Sequence, residues 1–255
     1  MRLAGNGAEP GMRTALVTGG ARGLGFAIAS RLHAGNIRVA IVDVRDAGAS
    51  ALRLDPTGER VRGFACDLGD SREIPAMMAE VTEWGGPCDI VVHNAALFPT
   101  TPLSELSLAT WRRIHAVNVD AALVIAQHAV AGMSAAGWGR LVLIASGTIG
   151  IVRRDVSAYI ASKMALTGFA RALSARYGKD GITANVIAPG FTETDGTREK
   201  FEKFDLLAAS VIRQQAVPQL TTKEQIAAAV SFLASDEAGR INGQTWMCDG
   251  GWVRA

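Results

Sequence analysis

Tyr159 and Lys163 stand four residues apart in the stretch YIASKMAL, Tyr159 to Leu166. On a helix that spacing brings a phenol and an ammonium onto one face. A free phenol ionises at about pH 10, too high for a base near neutrality, and a nearby ammonium stabilises the phenolate and lowers that value. The pair could therefore move a proton to and from an oxygen. By itself it reads as readily as a surface pair contributing roughly 0.2–0.5 kcal/mol, or as an amphipathic tyrosine in a core.

The glycines of TGGARGLG, Thr18 to Gly25, offer a different chemistry. Gly19, Gly23 and Gly25 depart from the G-x-G-x-x-G spacing but allow the same physics. They permit a tight turn whose backbone can approach a pyrophosphate at the positive end of the following helix. Asp43 ends the next apolar run, where a carboxylate can accept from a ribose 2′-hydroxyl and repel a 2′-phosphate. Its plainer reading is a loop acid at a strand end. Arg22 and Arg45 pull the other way, since either could pair with a 2′-phosphate. The uncompensated carboxylate weighs more than a flexible arginine, so NAD is expected as cofactor over NADP.

The elements that must position these residues alternate along the chain. RTALVTG, IRVAIVD, VRGFACD, CDIVVHNAA, RLVLIAS, ITANVIAP and GQTWMCD read as short buried strands. Between them lie helical stretches: GLGFAIASRLHAG, a weak DAGASALRLD, SREIPAMMAEVTEWG, Leu108 to about Ala135, the segment carrying Tyr159, a polar helical insert, and KEQIAAAVSFLAS. Continuous apolar runs separated by helices predict a parallel sheet covered on both faces. The expectation is an α/β chain, a single-domain doubly wound Rossmann fold with a parallel sheet of about seven strands and helices on both faces. Residues 1–12 are expected to form a flexible tail and 13–255 the domain. In such sheets ligands bind beyond the carboxyl ends of the strands, so functional residues should follow strands.

Composition narrows the partners. A formal charge of +2, with no basic run interleaved with aromatics, argues against nucleic acid. Cys66, Cys88 and Cys248 lack C-x-x-C spacing and the four histidines form no H-x-x-x-H pair, so no metal site or disulfide framework is expected. No stretch approaches about eighteen apolar residues, so no membrane span is expected, and a soluble cytoplasmic protein is the default.

In order, TGGARGLG, Asp43, CDL, HNAA, VNV around Asn118, Ser146 in IASGT, Tyr159 and Lys163 in YIASK, NVIAPGFTET and INGQTWMCDGG match one pattern. Over essentially its whole length the chain resembles the short-chain dehydrogenase/reductase family. The resemblance implies that Tyr159 is the general acid/base and that Lys163 depresses its pKa and holds the nicotinamide ribose. It implies that Ser146 hydrogen-bonds the substrate oxygen and that Asn118 anchors a water of the proton relay. Cofactor contacts are implied for Gly19, Arg22, Gly23, Leu24, Gly25 and Asp43 at the glycine turn and second strand. Asp67 and Leu68 would face the adenine, and Asn94 and Ala95 the ribose. Pro189, Gly190, Thr192 and Thr194 would carry the carboxamide and a phosphate, although Asn94 and Thr194 could each serve only to brace a turn. His93 and Ala96 depart from the N-N-A-G common in the family, and His93 is read as structural.

Specificity is expected from the loops after Ala96, Ser146 and Gly190, the last forming a lid over about 191–216. With Ser146 and Tyr159, the residues Phe98, Ile149 and Phe191 are expected to meet substrate. Together with Leu97, Ile151 and the 201–207 region they suit a hydrophobic alcohol or ketone. Arg153 and Arg154 are read as a solvated loop, with an acidic substrate as the alternative. Several stretches, among them AGWGR and DGGWVRA, resemble dehydrogenases of secondary, arylethanol-type alcohols. The alternative is an NADPH-dependent 3-oxoacyl carrier-protein reductase, against which stand Asp43 and the absence of basic docking residues at Gly137 and Asp180. An alternative of another class is a non-catalytic dinucleotide sensor. The resemblance also implies a homotetramer, with the two long helices and the tail from Gly243 at its interfaces.

Overall fold

A computed structural model of the chain describes residues 11–151 and 153–253. The tail expected over 1–12 lies almost wholly outside the described residues. Seven strands, β1 (Thr14–Thr18), β2 (Arg38–Asp43), β3 (Val61–Ala65), β4 (Ile90–His93), β5 (Gly139–Ile144), β6 (Ile182–Pro189) and β7 (Thr245–Cys248), form one parallel sheet. Their order is β3-β2-β1-β4-β5-β6-β7, the doubly wound Rossmann arrangement expected. The winding reverses between β1 and β4, which opens a crevice at their carboxyl ends.

Alternation along the strands divides the core into two layers. Ala15 and Val17 face α1 (Gly23–Ala34) and α9 (Lys223–Leu233), while Leu16 faces the opposite layer with α3 (Ile74–Gly85) and α6 (Ser157–Tyr177). The weak segment forms α2 (Ala47–Leu54), started by the Asp46 carboxylate accepting from Ala49 N at 2.9 Å. Thr222 and Gln225 make a reciprocal capping box at the start of α9.

The long helical stretch is not one regular helix. It runs as α4 (Leu108–His115), a π-helical turn over Ala116–Asp120, and α5 (Ala121–Ala136). By length and mean hydropathy, 1.3 in its most apolar window, this composite could cross a membrane, which apolar runs alone did not reveal. Its α5 part instead buries Ile125, Ala129 and Met133 in the layer shared with α3, as a core helix does. The insert after β6 also differs from its reading as polar. It comprises α7 (Asp195–Lys200) and an apolar α8 (Phe204–Ile212), whose Phe204, Ala208 and Val211 pack with Phe191 into a cluster of their own.

Candidate active site

The glycine turn joins β1 to α1 where backbone closeness leaves no room for side chains. Gly19 has φ 64°, and a Cβ there would meet Ala95 Cα and Asn94 Nδ2 at 2.9 Å. At Gly25 it would run into the Gly19 carbonyl. The first turn of α1 carries no acid, so no carboxylate of that turn competes for its positive end. A groove of about 510 Å³ opens here, lined by Gly19, Arg22, Gly23, Leu24 and Gly25 together with Asp43, Asp67, Leu68, Asn94 and Ala95.

Asp43 is almost buried and is fixed by two amides, from Ala21 N at 3.1 Å and Arg45 N at 3.0 Å. Each oxygen keeps further acceptor capacity, and Asp43 lines the groove. Arg22 is tied to Glu199 at 2.9 Å. Asp67 holds Arg113 through both oxygens at 2.8 Å, which keeps its carboxyl below the usual range; Arg113 lines the groove and was not anticipated from sequence. Asn94 does brace the turn, donating to the Thr18 carbonyl at 3.0 Å and the Gly19 carbonyl at 3.1 Å. Thr194 caps α7 while also lining the groove. This cradle, free of side chains where a pyrophosphate would lie and ending on a fixed carboxylate, fits a dinucleotide.

The groove continues into a cavity of about 310 Å³. Ser146, Tyr159, Lys163, Pro189, Gly190, Thr192, Phe98 and Phe191 all line it. Ser146 follows β5 and accepts from Thr148 N at 3.2 Å. Tyr159 and Lys163 come from one face of α6, with the Lys163 Nζ 5.7 Å from the centre of the tyrosine ring. Lys163 is wholly buried, donates to the Ile144 carbonyl at 2.6 Å, and is pulled down to about 7 by burial. Gly190 passes so close to Asp249 that a Cβ would lie 2.8 Å from it. Asp249 in turn accepts from Gly251 N at 3.0 Å and Val253 N at 2.8 Å, and Trp252 between them lines the cavity wall.

Two expectations need correction. Burial raises the Tyr159 pKa, and the countering pulls come from Ser146 and Arg153 rather than from Lys163. Sequence reasoning counted the charge of Lys163 but not the desolvation of the phenol. Ile149 does not line the cavity: it closes the short 3-10 turn Gly147–Ile149 and packs on the sheet core, and Ile151 faces the cavity instead. The Asn118 side chain is held by three hydrogen bonds, which use both amide hydrogens and one of the two Oδ1 lone pairs. It accepts from Leu97 N at 2.8 Å and donates to the Leu97 carbonyl at 3.1 Å and to Ser162 Oγ at 2.9 Å. It lines neither space, and braces the loop after β4 against α6 from the π turn.

His93 completes that brace. The Thr18 hydroxyl accepts from Asn94 N and Ala95 N, both at 3.0 Å, so its own hydrogen points to His93 Nδ1 at 3.3 Å. The ring proton is thereby on Nε2, donating to the Asn118 carbonyl at 3.2 Å. Burial, reinforced by the Lys163 charge, pushes the imidazole down to about 3 and keeps it neutral. Of the two arginines read as a solvated loop with an acidic substrate as the alternative, Arg153 lines the cavity and Arg154 is exposed.

The comparisons with known proteins agree with this geometry. The family described as enoyl-(acyl carrier protein) reductase, adh_short_C2, matches residues 19–253. The chain is 35% identical over 247 residues to a D-threitol dehydrogenase of Mycolicibacterium smegmatis, covering 94% of this chain and 93% of the relative. It is 36% identical over 249 residues to the 3-oxoacyl-[acyl-carrier-protein] reductase MabA of Mycobacterium tuberculosis, covering 96% and 95%. In structure it is similar to a putative NAD(P)-dependent gluconate 5-dehydrogenase of Beutenbergia cavernae with bound NADP. That likeness has a TM-score of 0.87 at 34% identity and covers 94% of this chain and 96% of the other. The chain belongs to the short-chain dehydrogenase/reductase family and is a nicotinamide-dependent oxidoreductase of CH–OH and keto groups.

Proposed function

We propose that the enzyme interconverts a secondary alcohol with an apolar body and the corresponding ketone, using NAD in preference to NADP. The observation that carries this is the convergence of Ser146, Tyr159 and Lys163 on one mainly apolar cavity that opens onto the glycine groove. When bound, the nicotinamide supplies the hydride acceptor or donor. The substrate oxygen lies between the Ser146 and Tyr159 hydroxyls. Ser146 stabilises charge developing on that oxygen. Tyr159 hands its phenolic proton to the carbonyl oxygen in reduction and takes it back in oxidation. With its pKa raised by burial, Tyr159 rests as the protonated phenol, ready for reduction. Lys163, near 7, exchanges a proton at Nζ close to neutrality and offers its two remaining donors to the cofactor ribose.

The NAD preference rests on Asp43, which two amides prevent from turning away from a 2′-phosphate, and on Arg22 being engaged by Glu199. A homotetramer fits the exposed Leu123 on α5 and Met164 on α6. The test is absorbance of the reduced nicotinamide while secondary alcohols are offered with NAD and NADP, and ketones and a 3-oxoacyl thioester with the reduced forms. Alcohol turnover with NAD supports the proposal. Thioester reduction with NADPH, with silence toward alcohols, would replace it by carrier-protein reduction.

A further inference from the structure

The cavity that holds Ser146 and Tyr159 has a cation in its wall and no anion to answer it. Arg153 lines this space half-buried, and no acid is among the residues that line it. Among the described residues Arg153 makes no hydrogen bond and no ion pair. Its guanidinium carbon lies 5.7 Å from the centre of the Phe98 ring and 5.1 Å from that of Phe201. A second cation stands beside it: the Lys200 ammonium donates to the Phe98 carbonyl and sits 3.5 Å from the centre of the same ring. Of the lid acids, Glu193 and Asp205 pair with Arg198 and Glu199 with Arg22, while Asp195 and Glu202 are exposed and line no part of the cavity.

The backbone is tied down two residues past Arg153. Thr101 N donates to the Asp155 carbonyl at 2.7 Å, and Asp155 takes the left-handed φ of 61° that turns the chain into α6. A partly buried charge without a partner is unfavourable, and a guanidinium fork matches a carboxylate in plane and spacing. Burial already holds the Arg153 pKa below its ordinary value, with the Tyr159 phenol the group that counters it. Phe98 links the two ends of the site, its ring centre 4.3 Å from that of Tyr159, so a group on Arg153 and an oxygen on Tyr159 can belong to one small molecule.

We propose that Arg153, seconded by Lys200, binds a carboxylate of the substrate, so that the preferred pair is a hydroxy acid and its oxo acid rather than a neutral alcohol and ketone. This rests on the hydride-transfer reading and names its substrate class. With a nicotinamide bound as hydride donor, reduction would turn the oxo carbon into the carbinol carbon while its oxygen takes the phenolic proton of Tyr159, so that C=O becomes C–OH and the carboxylate on Arg153 is unchanged. The rings of Phe98, Phe201 and Trp252 enclose the hydrocarbon between.

The experiment compares matched 3- and 4-hydroxy acids with their methyl esters, and a 3-oxoacyl thioester, in wild type, Arg153→Gln, Arg153→Lys and Arg154→Gln. Titration of tryptophan fluorescence with cyclohexanecarboxylate, which carries no hydroxyl, runs alongside because Trp252 lines the cavity. Wild type and Arg154→Gln should prefer acid to ester. In Arg153→Gln that preference should fall about thirtyfold or more through KM, with Arg153→Lys in between. The fluorescence response should be lost in Arg153→Gln. Esters or the thioester used as well as the acids, or an unchanged preference in Arg153→Gln, would overturn the proposal and leave the oxidoreductase reading standing. Should nothing turn over, that reading fails, and the titration alone decides: a response lost in Arg153→Gln supports the carboxylate site, and no response overturns it.

Discussion

Replacing His93 by Asn should remove a specific part of this enzyme's acid sensitivity. The native imidazole is wholly buried between the Thr18 hydroxyl and the Asn118 carbonyl, and is pushed down to about 3. In the unfolded chain it returns to its ordinary value of 6.5. Below pH 6.5 the unfolded chain takes up a proton that the folded chain refuses, so stability is full above that pH and falls as the solution is acidified toward 3. At about 1.4 kcal/mol per pH unit, acidification from 6.5 to 5.0 should cost about 2 kcal/mol through this ring. An asparagine amide offers a donor and an acceptor at this place, but it does not titrate. Urea unfolding of wild type and His93→Asn at pH 7.5 and 5.0, at one protein concentration, reads the difference between the two losses. The variant should start less stable because its shorter side chain cannot keep both contacts. It should then lose about 2 kcal/mol less on acidification. Equal losses in both proteins would refute the neutral, Nε2-protonated brace.

Tyr159→Phe should lower kcat by about 10³-fold or more while reduced-cofactor binding, read by nucleotide fluorescence, stays within about threefold; full turnover would remove the acid/base assignment. Asp43→Ala should lower the NAD over NADP preference in kcat/KM by about tenfold or more, since one fixed charge beside a 2′-phosphate is lost; an unchanged ratio would place discrimination elsewhere. Gly25→Ala should weaken cofactor binding by about tenfold or more and lower Tm, because the added methyl meets the Gly19 carbonyl. Unaltered nucleotide titration would show that the turn yields.

Much of the site was legible because its chemistry is local. Tyr159 and Lys163 share a helix face by spacing, and Gly19, Gly23 and Gly25 announce a turn that only glycine fits. The apolar runs foretold the seven strands because residues buried on both faces of a parallel sheet need no polar alternation. Ile149 and Ile151 could not be told apart, since a two-residue shift on a 3-10 turn reverses which one meets the cavity. The apolar α8 was missed inside an insert whose flanks are charged.

What the chain alone determined was the fold class, the chemistry-bearing residue types and their place after strands, all consequences of short-range pattern. Tertiary structure decided the rest, because charge and proton affinity depend on what surrounds a group and not on its neighbours in sequence. Desolvation turned the Tyr159 shift upward. Three distant hydrogen bonds made Asn118 a brace. A hydroxyl, with no donor to spare beyond one hydrogen, chose the tautomer of His93. Packing between Phe98 and Phe201 brought Arg153, which sequence alone could not separate from Arg154, to the wall of the substrate cavity with no acid among the residues that line it.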